Sequence, residues 1–230
     1  MTGRGLLALT FDDSHSAEWL AQLPRFRRYG AHATFFFHKE LDAEKLAAMK
    51  TLLEAGHSIG LHTLHHRDAV PAMEEMGAEQ YIAEEITPQL EAMAAAGLST
   101  RNFAYPNNRR NDATDAALRH LFRHFRAGLA SHPPLGTPVS ACPDALIPRA
   151  EIAQRATLGG SGIGEFYSTQ IPDVLSVLEK AARADALVVF FSHGISPGAP
   201  SIHTPEETLE AILQKATQLG MEIVGFDEMP

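Results

Sequence analysis

The feature that most restricts the fold is a regular alternation of short apolar runs with longer amphipathic stretches. The apolar runs have the character of buried strands and lie at 6–11, 32–37, 57–62, 102–106, 186–193 and 221–226. Between them, hydrophobic residues recur at helical spacing over 17–30, 43–56, 78–97, 171–184 and 204–220. Such an alternation of strands and helices predicts an α/β protein with a parallel sheet or barrel.

Length and composition limit the kind of protein. At 230 residues the chain suits one large domain, and we expect residues 1–230 to form a single unit. Hydrophobic residues make up 45% of the chain and charged residues 20%, which is enough for a large core and argues against disorder. The only cysteine is Cys142, so neither an intramolecular disulfide nor a cysteine-based zinc cluster can form.

Charge and hydrophobicity restrict the partners. The net charge is −9 and no basic run appears, which argues against nucleic acid and anionic membranes as partners. No apolar run reaches about 18 residues, so we expect no transmembrane helix. The segment before the first strand is too short for a signal peptide, which predicts a cytoplasmic protein, although a chain trimmed of its export signal would look the same.

Two regions carry residues that interrupt regular structure. Pro88 lies inside the helical stretch 78–97 and is expected to kink or divide it. The middle of the chain, roughly 126–168, shows no clear pattern, and 130–148 within it is rich in proline, serine and glycine and reads as loop. The glycine-rich run 158–164 lacks the spacing of a phosphate-binding or dinucleotide-binding loop, so we expect a flexible loop at the rim.

Side chains suited to acid–base chemistry or metal binding follow several predicted strands, at the point where each strand ends. They are Asp12 and Asp13 after the first strand, His62 at the end of the third with His65 and His66 after it, Tyr105 and Pro106 at the end of the fourth with Asn107 after it, and His193 at the carboxyl end of 186–193. Each is weak evidence alone, because an aspartate pair is usually a solvated turn and a lone histidine is usually structural. The carboxyl ends of parallel strands meet at one rim, where α/β barrels carry their chemistry, so we expect these side chains to converge.

The clustered histidines indicate a metal site together with Asp13. Divalent metals accept imidazole nitrogen and carboxylate oxygen, and a catalytic zinc takes three protein ligands and leaves one position open for water. Asp13 and His62 supply two ligands, and a helical turn after the strand would bring His66 or His65 to the same side. Spacing alone does not choose between the two. Zn²⁺ suits this donor set, and Co²⁺, Ni²⁺ or Mn²⁺ fit the same ligands.

Asp12 and His193 complete a hydrolytic centre. Asp12 is adjacent to the expected ligand Asp13, so it can accept a proton from the metal-activated water. His193 comes from across the barrel and can protonate a leaving group. The set predicts metal-assisted hydrolysis with a separate base and acid.

The strings TFDD, GHSIGLHTLHH, FAYP and VVFFSH together resemble the motifs of the polysaccharide deacetylase family, carbohydrate esterases with a NodB-homology domain. The resemblance extends from residue 6 to about 226. It implies a distorted (β/α) barrel with fewer than eight strands, which hydrolyses an N-acetyl group on an amino sugar. It also implies Asp12 as base, Asp13, His62 and His66 as metal ligands, and His193 as acid, and thereby selects His66 over His65.

The chain departs from the family pattern at the third motif, which usually begins with an arginine that orients the base. Here the sequence reads Ala104-Tyr105-Pro106-Asn107. The backbone N–H of Asn107 can still polarise the acyl oxygen, with Tyr105 and Pro106 beside the substrate. Arg149, after a short apolar segment, is the candidate for the missing guanidinium, and the competing interpretation is a surface arginine that opens a helix.

Two further observations bear on the site. The family's fourth motif, an aspartate followed by Asp-Trp, has no counterpart, since the only tryptophan is Trp19. His203 follows His193 within one loop, and we expect a solvated histidine there in preference to one that lines a substrate cleft.

Three functions remain open. The first is a metal-dependent hydrolase of an N-acyl carbohydrate. The second keeps the fold and the metal and acts on a small molecule as a deformylase or ureide amidohydrolase. The third is a catalytically silent carbohydrate-binding barrel, which the presence of both a base and an acid candidate argues against.

Overall fold

The computed structural model of the chain describes residues 5–196 and 202–230. Residues 1–4 and 197–201 lie outside these ranges. The first group belongs to the segment on which the signal-peptide prediction rests, and the second belongs to the sequence between His193 and His203. None of the helices in the described ranges has both the length and the hydrophobicity that crossing a lipid bilayer requires.

The described residues contain nine strands, seven of which form a closed parallel barrel. The strands are β1 Leu6–Phe11, β2 Thr34–Phe37, β3 Ser58–Leu61, β4 Asn102–Ala104, β5 His124–Gly128, β6 Leu146–Pro148, β7 Thr157–Gly162, β8 Ala186–Ser192 and β9 Glu222–Ile223. The barrel order is β1-β2-β3-β4-β5-β7-β8, and β8 returns to pair with β1. This confirms the predicted α/β class and the distorted (β/α) barrel with fewer than eight strands.

The distortion comes from two short strands that enter the seams of the barrel. β8 pairs from Leu187 to Ser192 with the whole length of β1, but it pairs with β7 only at Phe190 and Phe191. The amino-terminal half of β8 pairs instead with β6, which runs antiparallel. In the same way β1 pairs with β9 at its start and with β2 at its end. The barrel therefore closes at its carboxyl end and admits extra strands at its amino end.

Ten α-helices connect and cover the strands in the described ranges. They are α1 Ser16–Ala21, α2 Leu23–Arg28, α3 Ala43–Glu54, α4 Ala69–Met76, α5 Ala78–Glu85, α6 Thr87–Ala95, α7 Asp112–Leu118, α8 Arg149–Ile152, α9 Ile171–Ala184 and α10 Glu206–Leu219. The stretch 78–97 is divided at Ile86, next to Pro88 at the second position of α6, as predicted. The stretch 17–30 is also divided, at Gln22, with Pro24 at the second position of α2.

Two expectations of loop in the middle of the chain were wrong in part. β6 occupies the end of 130–148, and the glycine-rich run 158–164 lies largely within β7. A Cβ atom on Gly160 would lie 3.1 Å from the backbone oxygen of Val189 in β8, and one on Gly159 would lie equally close to the backbone oxygen of Gly128. The glycines thus permit close approach of neighbouring strands.

Side-chain alternation along β1 explains how the barrel presents its chemistry. Leu6 and Ala8 belong to a small buried cluster made mainly of strand residues, while Leu7 and Leu9 belong to the large cluster shared with the helices. Successive residues of a strand face opposite sides, so the same alternation carries Asp12 to the inner side at the carboxyl end.

Candidate active site

Asp13, His62 and His66 meet at the carboxyl end of the barrel. Asp13 Oδ1 lies 3.6 Å from His62 Nε2 and 3.7 Å from His66 Nε2, and the two imidazole nitrogens are 3.1 Å apart. Around a tetrahedral zinc ion with bonds of about 2.0–2.1 Å, neighbouring donor atoms are roughly 3.3 Å apart. The three donors therefore have the spacing of ligands that share one ion.

An unpaired oxygen in this cluster supports the same interpretation. Asp13 Oδ1 is buried and makes no hydrogen bond among the described residues. The neighbouring imidazole nitrogens are too far away to donate to it, because a normal hydrogen bond of this type is about 2.7–3.2 Å long. A buried carboxylate oxygen without a donor is costly, and a divalent cation at this position would satisfy it. The donor set thus fits the metal that the sequence predicts.

The backbone that joins the two histidines is not the helical turn that we expected. After β3, residues 62–68 form an irregular bend in which Thr63 and His66 adopt left-handed backbone conformations, with φ of 66° and 58°. Asp13 is also left-handed, with φ of 75°. Such conformations are uncommon for residues other than glycine and are often found at functional sites. This bend and the left-handed Asp13 bring the side chains of Asp13, His62 and His66 together.

His62 is held in the form that a metal ligand needs. Its Nδ1–H donates a 2.8 Å hydrogen bond to the backbone oxygen of Ala104, which leaves the lone pair of Nε2 free. Burial lowers the pKa of His62 to about 4, so the ring is neutral at physiological pH. The carbonyl at the position of the absent motif arginine thus orients a candidate ligand.

His65 lies outside the cluster. Its side chain is 52% exposed, and both its Nδ1 and its backbone N–H contact the buried carboxylate of Glu85 in α5, at 2.9 and 2.8 Å. Of the two neighbours that the spacing left open, the structure brings His66 to Asp13 and ties His65 to the helical layer.

Asp12 is bound by Arg126, a residue that sequence reasoning missed. Arg126 lies in β5, is 1% exposed, and donates from Nη2 to Asp12 Oδ2 and from Nη1 to Asn108 Oδ1. Its guanidinium also lies 4.7 Å from the centroid of the Phe191 ring. Arg126 is the register partner of Ala104 on β4, so the guanidinium enters from the strand next to the motif position.

Arg149 does not orient Asp12, and that prediction was wrong. Its guanidinium binds Asp185 and Glu222 at 2.8 and 2.7 Å. The physical reason is the direction of β6, which is antiparallel to β8, so that Pro148 pairs with Ala186 at the amino end of β8. Arg149 therefore follows a strand that ends at the opposite end of the barrel and opens α8, as the competing interpretation held.

The segment after β4 has a mixed role. Tyr105 lines the site cavity, but its hydroxyl donates to Asp115 Oδ1 at 2.8 Å, so it is not available to a ligand. Pro106 is buried, has no N–H and opens a short 3₁₀ turn. Asn107 is left-handed, is exposed at the same cavity, and donates from Nδ2 to Asp68 at 2.6 Å. Of the three predicted residues, Asn107 alone can offer a donor there.

His193 directly follows β8 and faces the candidate metal ligands. Its Nε2 lies 3.6 Å from Asp13 Oδ2, and its Nδ1–H donates to the backbone oxygen of Ile202 at 3.0 Å. The ring of Tyr167 lies nearly parallel to it, with centroids 6.4 Å apart. Trp19 Nε1–H donates to the backbone oxygen of His193 at 2.8 Å, so the backbone and the ring of His193 are both fixed.

His38 is a second residue that the sequence interpretation missed. It follows β2, and its Nδ1 lies 3.7 Å from Asp13 Oδ1. Burial lowers the pKa of His38 to about 4. The signal was available, because His38 follows a predicted strand directly, like the other site residues.

The site cavity is small and adjoins a larger one. It measures about 70 Å³ and is lined by Asp12, the histidines of the cluster, Asn107 and Arg126. Asn108, Tyr167 and Phe191 line both this cavity and a neighbouring cavity of about 260 Å³. The arrangement gives a narrow polar pocket beside a wider groove with aromatic walls.

Comparison with known proteins agrees with the motifs. The sequence model of the family described as polysaccharide deacetylase matches residues 1–123, which contain the aspartate pair and the paired histidines. A comparison with curated proteins gives no match.

Solved structures share the fold at low identity. The chitin deacetylase of the fungal pathogen Colletotrichum lindemuthianum has a TM-score of 0.67 and 16% identity, and the match covers 99% of this chain and 88% of that one. A family 4 acetyl xylan esterase from Clostridium thermocellum, solved with a cobalt ion, has a TM-score of 0.61 and 20% identity, with 97% and 89% covered. A CE4 family pseudoenzyme from Bacillus anthracis has a TM-score of 0.61 and 14% identity, with 100% and 66% covered.

Proposed function

Because this chain belongs to the polysaccharide deacetylase family, we propose that it is a metal-dependent hydrolase that removes an N-acetyl or other N-acyl group from an amino-sugar-containing carbohydrate. The observation that carries the proposal is the position of Asp13. Its Oδ1 faces His62 and His66, while its Oδ2 faces Nε2 of His193. A candidate metal ligand thus lies directly beside an imidazole that can act as a separate acid.

Asp13, His62 and His66 are the proposed ligands of one divalent ion. Zn²⁺ suits two imidazoles and a carboxylate, and Co²⁺, Ni²⁺ and Mn²⁺ are the other candidates. When bound, the ion would supply Lewis-acid activation of the acyl group and of water. The remaining roles belong to side chains of this protein.

Asp12 is the proposed base that accepts the proton of the attacking water. Its Oδ2 is held by Arg126, and its Oδ1 is buried with no hydrogen bond among the described residues, so an acceptor is free at the cavity. His193 is the proposed acid, which protonates the leaving amine from Nε2 while its Nδ1–H stays on Ile202. The backbone N–H of Asn107 is the proposed donor to the acyl oxygen.

The two cavities support an acyl group on a larger ring. A space of about 70 Å³ is roughly that of two water molecules in the liquid, which suits acetyl or formyl. The adjoining cavity of about 260 Å³ has the aromatic rings of Tyr167 and Phe191 in its wall and could take a sugar ring. Because the proposed roles run from Asp12 to His193, the whole barrel would act as one catalytic domain.

The test is acyl release from a substrate panel by the zinc-loaded protein. The panel contains N-acetylglucosamine oligomers, their N-formyl counterparts, small N-formyl compounds and small ureides. Acetate from the oligomers supports the proposal, and activity confined to the small compounds supports the deformylase or ureide alternative. Tight oligomer binding with no product from any substrate would contradict hydrolysis and support the catalytically silent carbohydrate-binding barrel. Asp12→Asn, loaded in the same way, is the matched control for acyl release by a contaminating enzyme.

A further inference from the structure

A second group of potential metal donors lies behind His193. His15 precedes α1, Glu18 lies in α1, and His203 lies in the segment that leads to α10. One donor atom from each residue lies within 4.8 Å of the other two. Glu18 Oε2 is 3.6 Å from His203 Nδ1, and the rings of His15 and His203 have centroids 4.5 Å apart.

Two of the donor atoms in this group are buried and unpaired among the described residues. Glu18 Oε2 and His203 Nδ1 are inaccessible to solvent, and neither makes a hydrogen bond among the described residues. Their separation of 3.6 Å is too long for a hydrogen bond to each other. Asp13 Oδ1 in the first cluster has the same two properties, burial and separations of 3.6–3.7 Å from its imidazole neighbours. We expected a solvated His203, but its side chain is only 11% exposed.

Gly194 borders the space between these donors. A Cβ atom at this position would overlap Glu18 Oε2 and lie 2.6 Å from His203 Nδ1. The side chains of the group therefore point at a glycine backbone, and any larger residue would occupy the space between them.

We propose that His15, Glu18 and His203 bind a second divalent cation of the zinc class, separate from the catalytic centre. Two imidazoles and one carboxylate are the donors that such ions accept. An ion there would satisfy both buried atoms at once and remove the cost of leaving them unpaired.

The position of this site indicates a structural role. The ion would join α1 to the segment at 202–204, and both contact His193: Trp19 of α1 donates to its backbone oxygen, and Ile202 accepts from its ring. The second ion would therefore hold the surroundings of His193 together without contacting the substrate.

The experiment is the number of zinc ions bound per chain, measured by elemental analysis after dialysis of the purified full-length protein. We expect two ions in the wild type, one in Glu18→Gln and in His203→Ala, and one in His62→Ala, which retains the second site. The exposed His120→Ala, outside both clusters, is the control and should bind two. Circular dichroism checks that each variant is folded, and Glu18→Gln is nearly isosteric.

Gly194→Ala tests the space between the three donors and leaves the donors themselves unchanged. All three candidate ligands remain, but the added methyl group occupies the position between them, so one ion should be lost. A wild type that binds no ion, or a single ion that both Glu18→Gln and His203→Ala retain, would overturn the second site. So would folded Glu18→Gln and His203→Ala variants that both retain two ions, or that both lose two. These readouts count ions and do not depend on whether the protein hydrolyses a carbohydrate.

Discussion

Arg126 and Asp12 form a buried ion pair at the carboxyl end of the barrel, with side chains that are 1% and 4% exposed. A buried carboxylate loses its hydration, and a guanidinium compensates with both charge and directed hydrogen bonds. The same guanidinium reaches Asn108, so it holds the proposed base in one orientation relative to the cavity.

Arg126→Lys should keep the charge and lose the geometry. A lysine ammonium cannot reproduce the planar fork that contacts Asp12 and Asn108 together. We expect kcat to fall about tenfold or more with metal content unchanged, as measured by acyl release and elemental analysis. Arg149→Ala, at the other end of the barrel, is the control and should stay within about twofold of wild type. Wild-type kcat in Arg126→Lys would remove Arg126 from the positioning role.

Asp12→Asn should retain metal and lose turnover, because an amide cannot accept the proton of the attacking water. Loss of a positioned base costs roughly a hundredfold or more in rate. Asp13→Asn, by contrast, should lower metal occupancy. An Asp12→Asn enzyme that turns over near the wild-type rate would show that another group accepts the proton.

Metal content should distinguish the His62→Ala variant from the His65→Ala variant. His62→Ala should lose the ion of the first cluster, since it removes a donor within 3.6 Å of Asp13. His65→Ala should keep that ion and lower the melting temperature, because the buried Glu85 loses a partner. If instead His65→Ala loses metal, the assignment of His66 as the ligand is wrong.

His57 should make stability depend on pH below neutrality. Burial lowers its pKa to about 4, and its Nδ1 accepts from the backbone N–H of Ala33 at 3.1 Å, so the folded protein holds this ring neutral. The unfolded chain takes up the proton near pH 6.5, so this contribution to stability is present above that pH and is lost as pH falls toward 4.

The size of this effect can be measured by urea unfolding of the metal-free protein. Between pH 7 and pH 5, His57 should account for about 2 kcal/mol of the loss in unfolding free energy. His57→Asn keeps an acceptor near the Nδ1 position and cannot titrate, so its loss should be smaller by that amount. Equal losses in wild type and variant would contradict the neutral buried ring.

The sequence predicted the strand ends well because the residues that signal them are local. Asp12, Asp13, His62 and His193 each lie at or just after the end of an apolar run, and a parallel sheet brings such positions to one rim. His38 gives the same signal and could have been predicted with them. The choice between His65 and His66 needed the family motif, because it depends on left-handed backbone at Thr63 and His66 that spacing does not reveal.

Arg126 could not be predicted from neighbouring residues alone. Arg126 reaches the site because it pairs with Ala104 on the neighbouring strand, and these two residues are 22 positions apart in the sequence. Arg149 failed for a related reason, since the direction of β6 is set by tertiary pairing and not by its short apolar sequence. Glycines in β7 suggested flexibility, yet they permit close contact with the neighbouring strands β5 and β8.

The pairing of β1 with β8 also has a consequence for the order of folding. It joins residues about 180 positions apart, such as Thr10 and Phe190, and contacts of such long range form slowly. The donors Asp13, His62 and His66 all lie in the first third of the chain, whereas His193 arrives only when β8 closes the barrel.

We expect cobalt absorption from the first cluster to appear during refolding before the fluorescence change of Trp19, the only tryptophan, which bonds to the backbone of His193. Simultaneous signals would mean that the first cluster itself waits for closure, and the nascent chain would then hold no ion until β8 has been synthesised.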